Sequence, residues 1–148
     1  MVEDYEGYEQ KCEEIRKINL ELLKIFEHDL EDAGLKEKTI SSHLSNVDFY
    51  INDFLLYSDA LSMEHGIYEI GMFLGDFFIR KCMWSTPGTI KSTAASIKKF
   101  YKSMMDHGKI EKGDYAFLCQ TIKEEMDVWQ SDCARFNDPM EENPFAFF

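Results

Sequence analysis

An all-α bundle of about five helices is the fold this sequence predicts, and three observations carry it. Apolar residues recur at steps of three and four along most of the chain, the period of a helix face. No stretch alternates apolar and polar residues for long enough to make a strand. Only 3 Pro and 8 Gly fall among the 148 residues, so the connections are expected to be short. Residues 1–137 then read as a single helical domain, and 138–148 as a C-terminal aromatic tail.

The first helix carries the stripe Cys12, Ile15, Ile18, Leu22, Phe26, Leu30 and Ala33, and Gly34 follows as its C′ residue. Its other face holds Glu13, Glu14, Lys17, Glu21, Lys24 and Glu31 and is expected in solvent. The second starts near Lys36–Thr39 and buries Ile40, Leu44, Val47, Ile51, Phe54 and Leu55; Tyr57-Ser58-Asp59 is a polar break. Ser62 is placed to cap a short turn with Met63 and Glu64, and Gly66 interrupts the chain before the next element. The third segment, Ile67 to Lys81, buries a wide face of Ile67, Ile70, Phe73, Leu74, Phe77 and Phe78. Gly71 and Gly75 stand four apart there and allow another helix to approach.

The fourth helix has the clearest start, with Thr86 at N-cap and Pro87 at N1, where a missing N–H costs nothing. Its stripe is Ile90, Ala94, Ile97, Tyr101 and Met104, flanked by Phe100 and Met105, and Gly108 ends it. The fifth begins at Asp114, carries Leu118, Ile122, Met126, Trp129 and Cys133, and stops at Asn137-Asp138-Pro139. In the tail, Phe145, Phe147 and Phe148 are expected to dock on their own domain or on a second copy, against the alternative of a frayed end. The residues expected to be largely buried are Ile40, Leu44, Val47, Phe73, Phe77, Ile90, Ile97, Tyr101, Ile122 and Trp129.

Composition removes several classes of function. Apolar residues at 45% and aromatics at 14% are too many for a disordered chain. No run of about 18 apolar residues is present to span a membrane. The acidic start Met1-Val2-Glu3-Asp4 has no secretory character, so a cytoplasmic protein is expected. Cys12, Cys82, Cys119 and Cys133 form no close pair, and His28, His43, His65 and His107 show no ligand spacing. No metal and no cofactor is expected. The carboxylate pairs Glu13/Glu14, Glu124/Glu125 and Glu141/Glu142 lie on solvated faces or in the tail, and neighbours in sequence do not share a helix face. Without a phosphate loop or a nucleophile elbow, the chain does not read as an enzyme.

Charge is unevenly placed. The chain is −12 overall, yet residues 80–112 hold eight cations against two acids, a net +6. On the fourth helix Lys91, Lys98 and Lys102 fall on one side, with Lys99 beside them. Local concentration of this kind drives polyanion binding. The plain alternative is a solvated lysine face that pairs with acidic neighbours.

Two stretches have similar organisation: GLKEKTISSHLSNVDFYINDFL at 34–55 and WSTPGTIKSTAASIKKFYKSMMDHGKI at 84–110. With Lys38-Thr39-Ile40, Phe49 and Phe54 in the first, and Ser85, Thr89-Ile90, Ile97, Phe100-Tyr101 and Gly108 in the second, the pair resembles the N-terminal core-binding, SAM-like domain of phage-integrase-type tyrosine recombinases over roughly residues 18–112. The resemblance implies a helical bundle that clamps one side of duplex DNA, with the starts of the second and fourth helices near phosphates and the major groove. Carried to matching positions it points to Lys38, Thr39, Ser42 and His43, then to Thr89, Lys91 and Ser92; charge adds Lys98, Lys99 and Lys102. Hydroxyls and helix N-termini hold phosphates, and lysines neutralise them.

The chain also departs from that family. A catalytic domain with an Arg, His, Arg and Tyr set follows the family's module, whereas 36 residues follow Lys112 here, as one acidic helix and a tail. Tyr115 has no arginine set around it in sequence. The expectation is a non-catalytic DNA-binding module, accessory to recombination, whose partners are duplex DNA, a full recombinase, or a second copy through the tail. The alternative is the same fold used as a protein-interaction or regulatory module that does not bind DNA.

Overall fold

A computed structural model of the chain describes residues 2–138. Five helices follow one another, and no strand occurs among the described residues. Helix α1 is Val2–Asp32. Helix α2 is Glu37–Asp48 and runs on as a π-helical stretch, Phe49–Phe54. A 3-10 turn at Met63–His65 leads into α3, Gly66–Met72, which continues through a second π-helical stretch, Phe73–Phe77, to a last turn at Phe78–Lys81. Helix α4 is Pro87–Asp106 and α5 is Lys112–Asn137. No helix among the described residues is long and apolar enough to cross a membrane.

Sequence chemistry explains where the helices stop. Gly34 (φ 79°) and Gly108 (φ 73°) take the left-handed conformation after α1 and α4. Behind each, paired bonds close the last turn: Leu35 N–H to Leu30 O and Gly34 N–H to Glu31 O, then Lys109 N–H to Met104 O and Gly108 N–H to Met105 O. This is the Schellman arrangement, which satisfies the orphan carbonyls of a helix end. At the start of α4, Thr86 Oγ1 accepts from Thr89 N–H at 3.0 Å while Thr89 Oγ1 accepts from Thr86 N–H at 2.7 Å.

Helix α4 is the central rod. Ile90, Ala94, Ile97, Phe100, Tyr101 and Met104 are all buried, and α4 packs on α1, α2 and α5. Helix α3 packs against α5. One apolar cluster takes residues from all five helices. The two π-helical stretches face each other through rings: Phe49 to Phe73 (5.8 Å), Tyr50 to Phe73 (4.9 Å) and Phe54 to Phe77 (5.1 Å). The wider turn lets neighbours such as Phe49 and Tyr50 both point inward, which a regular helical period does not allow. Tyr50 Oη donates to Gly66 O at 2.6 Å and Tyr101 Oη to Met63 O at 2.7 Å, so two buried phenols fasten the entry to α3. Burial holds both hydroxyls well above the ordinary tyrosine range.

Several expectations are corrected. Ile18 is 60% exposed and Ala33 is exposed; Asn19, 1% exposed, takes the buried place in the α1 stripe. Its Nδ2 donates to Ile51 O (3.3 Å) and Asn52 Oδ1 (2.8 Å), bonds that an isoleucine does not make. Leu44, Phe77 and Ile122 are only partly buried, at the rim of the cluster. Gly66 does not interrupt the chain but opens α3, and a Cβ there would collide with the Tyr101 hydroxyl. Gly75 admits Trp129, whose Cδ1 would lie 2.8 Å from an added Cβ, whereas Gly71 faces open space. Helix α5 starts at Lys112, because Glu111 rather than Asp114 is the N-cap and Asp114 closes the capping box from N3. Apart from Asp138, the tail expected at 138–148 lies outside the described residues, as do Glu141 and Glu142.

Candidate nucleic-acid interface

Helices α2 and α4 lie side by side and leave an open groove of about 580 Å³ between them. Lys38, Thr39, Ser41, Ser42, His43, Ser45 and Asn46 line it from α2, and Ser92 and Ser96 from α4. Five of the ten residues singled out from the sequence thus share a single groove: Lys38, Thr39, Ser42, His43 and Ser92. No carboxylate is among its lining residues, in a chain with 28 acids.

Ser96 organises the floor. It is 1% exposed, its hydroxyl donates to Ser92 O at 3.2 Å, and its oxygen accepts from Asn46 Nδ2 at 3.0 Å. His43 Nδ1 lies 2.7 Å from the same oxygen. The Ser96 hydroxyl is thus shared among Ser92 O, Asn46 and His43. Burial holds the His43 imidazole below its usual pKa, and the nearby Lys99 ammonium adds to the effect.

The lysines fall into two stripes. Lys99 follows Ser92 and Ser96 around the helix, while Lys91, Lys98 and Lys102 run along the adjacent side with Ala95. Lys98, Lys99 and Lys102 reach a second, larger groove of about 730 Å³ between α1 and α4, which also holds Asp29, Asp32 and Asp106. There Lys102 Nζ meets both Asp106 carboxylate oxygens at 2.9 Å. Lys38, Lys91, Lys98 and Lys99 have no ion-pair partner among the described residues. In the same groove Ser103 Oγ donates to Asp29 Oδ2 at 2.5 Å, and His107 Nε2 lies 3.0 Å from it. Burial raises the Asp29 pKa, but the bonds from Ser103 and His107 outweigh it and leave the carboxyl below its usual range.

Thr89 takes part in the α4 cap. Its hydroxyl accepts from Thr86 N–H and lies 3.2 Å from Trp84 O. The start of α2 differs: Lys36 at N-cap makes no side-chain cap bond, so the first-turn amides are not claimed by a cap. Sequence reasoning did not name Ser41, Ser45, Asn46 and Ser96 as site residues, and it placed Ser96 and Ser103 on the polar surface of the fourth helix, where both are buried; the hydroxyl-rich run Ser41-Ser42-His43-Leu44-Ser45-Asn46 was the available signal.

Other chemistry is sparse. Tyr115, half-buried, has its phenol pushed up to about 12 by burial and by Cys119. His28, Asp29 and Asp32 bring donor atoms within 4.8 Å of one another, with His28 Nδ1 3.3 Å from Asp32 Oδ2. Asp29 is already held by Ser103 and His107, and the other two are exposed. No family model, no curated protein and no solved structure matches the chain.

Proposed function

We propose that the chain is a non-catalytic module that binds duplex DNA across the α2–α4 face, in the cytoplasm, in the manner of the recombinase core-binding domains that it resembles. The observation that carries this is the hydroxyl-lined groove, free of carboxylates among the described residues and flanked by cations without ion-pair partners among them, in an otherwise acidic chain. Lys38 at one end and Lys91 and Lys99 along α4 neutralise phosphates. Ser41, Ser42 and Ser45 donate hydroxyl bonds to phosphate oxygens, and the first-turn amides of α2 add theirs. Such contacts position a duplex and carry no sequence information, so binding is weak and non-specific. A full recombinase bound beside it on DNA is the partner that this reading implies.

The test is a titration of short duplex DNA at low salt, repeated as salt is raised. Three phosphates neutralised by Lys38, Lys91 and Lys99 give a log–log slope of about −2.7, at about −0.9 each. Absence of binding at low salt removes the reading. The protein-interaction reading then takes its place, supported by one observation: the Tyr68 ring on α3 and the Phe117 ring on α5 meet at a tilt, 5.3 Å apart, while 63% and 51% exposed. Exposed apolar pairs of this kind mark contact surfaces.

A further inference from the structure

We propose that the outer face of α3 and α5 is a docking site for a basic amphipathic helix of a protein partner. Two contacts frame this face. Tyr68 on α3 meets Phe117 on α5 at 5.3 Å, and Gly75 on α3 lies against Trp129 of α5. Gly71 stands between them in the chain, and an added Cβ there meets nothing within 4 Å. The two helices therefore touch at both ends of this stretch and leave a gap in the middle. Met72, one turn from Tyr68, is 58% exposed, and Val128, about three turns from Phe117 on the same side of α5, is 52% exposed. Four large apolar side chains gathered on one face differ from the single exposed residues of an ordinary surface and mark a contact site.

Charge selects the partner. Tyr68 Oη donates to Asp114 Oδ1 at 3.4 Å, and Glu124 and Glu125 are exposed between Phe117 and Val128. Lys123, the cation of that stretch, projects about 120° away from Phe117 around the helix. An acidic rim beside apolar side chains attracts a cation-bearing apolar surface and repels phosphate, so this face is not a second DNA surface. A second copy docked by two-fold symmetry brings the same acids to the same place, which like-charge repulsion opposes. Geometry selects a helix. The gap lies between two packed helices, and a glycine at its edge lets another backbone approach closely. From Phe117 to Val128 the face is about 16 Å long, and a partner helix of that length presents i, i+3, i+4 and i+7 anchors with lysines or arginines beside them. This site is separate from the α2–α4 groove, holds whether or not DNA binds there, and gives the protein-interaction reading its partner.

The test uses the full chain and a labelled synthetic helix of about 14 residues, about 21 Å long, with leucines on one side and lysines on the other. Fluorescence anisotropy is expected to show saturable binding of one peptide per chain. Y68S/M72S/F117S keeps every charge of the −12 chain and is expected to weaken binding by at least about tenfold, the loss that follows removal of central apolar anchors. Gly71→Leu fills the gap and is expected to weaken binding with an unchanged thermal midpoint, which guards against a folding artefact. E124Q/E125Q is expected to weaken binding and flatten its salt dependence. Equal affinity in the native chain and Y68S/M72S/F117S overturns the proposal, because general attraction between a basic peptide and an acidic protein then accounts for the binding. Equal affinity for an analogue with glutamates in place of the lysines overturns it through the charge argument. A native mass that doubles with concentration, and does not in Y68S/M72S/F117S, assigns the face to a second copy and overturns it as well. K38E/K91E/K99E is expected to bind the peptide as the native chain does, so failure here and failure of the DNA reading are read from different variants.

Discussion

His43 on α2 and Ser96 on α4 stand 2.7 Å apart, Nδ1 to Oγ, and the hydroxyl is the same one that accepts from Asn46. One buried serine therefore ties two helices together and orients an imidazole at the edge of the groove.

That geometry predicts a pH dependence. The folded imidazole has a pKa below 6.5, its value in an unfolded chain. In the window below 6.5 the unfolded chain binds more protons than the folded one, so the contribution of neutral His43 is complete above that value and is lost as pH falls through it. Urea midpoints measured across this range fall on acidification in the native chain, and His43→Gln flattens that part of the curve. DNA acts in the opposite direction on the same proton, because phosphates favour imidazolium. Under the DNA reading, affinity rises as pH falls toward the lowered pKa of His43, and His43→Gln removes the rise.

The cations are not equivalent. Lys102 is held by Asp106, whereas Lys38, Lys91 and Lys99 have no such partner among the described residues. The triple charge reversal K38E/K91E/K99E is expected to abolish duplex binding at low salt without lowering the thermal midpoint appreciably, since exposed sites away from special features change stability by about 0.5 kcal/mol or less. Lys102→Glu is expected to cost less affinity than Lys99→Glu. Equal losses in these two single variants would show that the field of the whole helix, and not the groove, governs binding.

Gly75 and Gly71 lie one turn apart in the α3 rod and predict opposite outcomes. Gly75→Ala presses a methyl to within 2.8 Å of the Trp129 ring and is expected to destabilise by about 1–3 kcal/mol, the usual cost of overpacking. Gly71→Ala meets nothing within 4 Å and is expected to stabilise by about 0.5–1 kcal/mol through backbone entropy alone. Denaturant unfolding of the two variants checks the pair.

Thr86→Ala opens the α4 cap. The Thr89 N–H loses its acceptor, and a loss of about 1 kcal/mol is expected. Because the Thr89 hydroxyl serves that cap, the salt slope of DNA binding is expected to be the same in Thr86→Ala as in the native chain. A changed slope would assign the start of α4 a direct part in holding phosphate.

Much of the architecture was legible from spacing. Ile90, Ala94, Ile97, Tyr101 and Met104 predicted a buried face on α4 and are all buried. Thr86, Pro87, Gly34 and Gly108 marked their helix ends through local backbone chemistry, which needs no distant partner. Period-based reading failed where a distant group decided the outcome. Asn19 outcompetes Ile18 for the interior because Ile51 O and Asn52 Oδ1 wait there. The π-helical stretches follow from rings that meet across the core, Phe49 and Phe54 against Phe73 and Phe77. The lysine run was visible as composition, but not its division. That Lys102 faces Asp106 while Lys99 stands by His43 depends on how α1, α2 and α4 pack.

The sequence by itself determined the helices, their caps and the basic character of α4, because these follow from the period of the chain and from bonds between residues a few positions apart. Only the tertiary structure decided that the hydroxyls of α2 and α4 form one groove, without carboxylates among the described residues. The physical reason is distance along the chain. Ser96 meets His43 across 53 residues and Ser103 meets Asp29 across 74, and contacts of that span are selected by the shape of the packed core rather than by any local pattern.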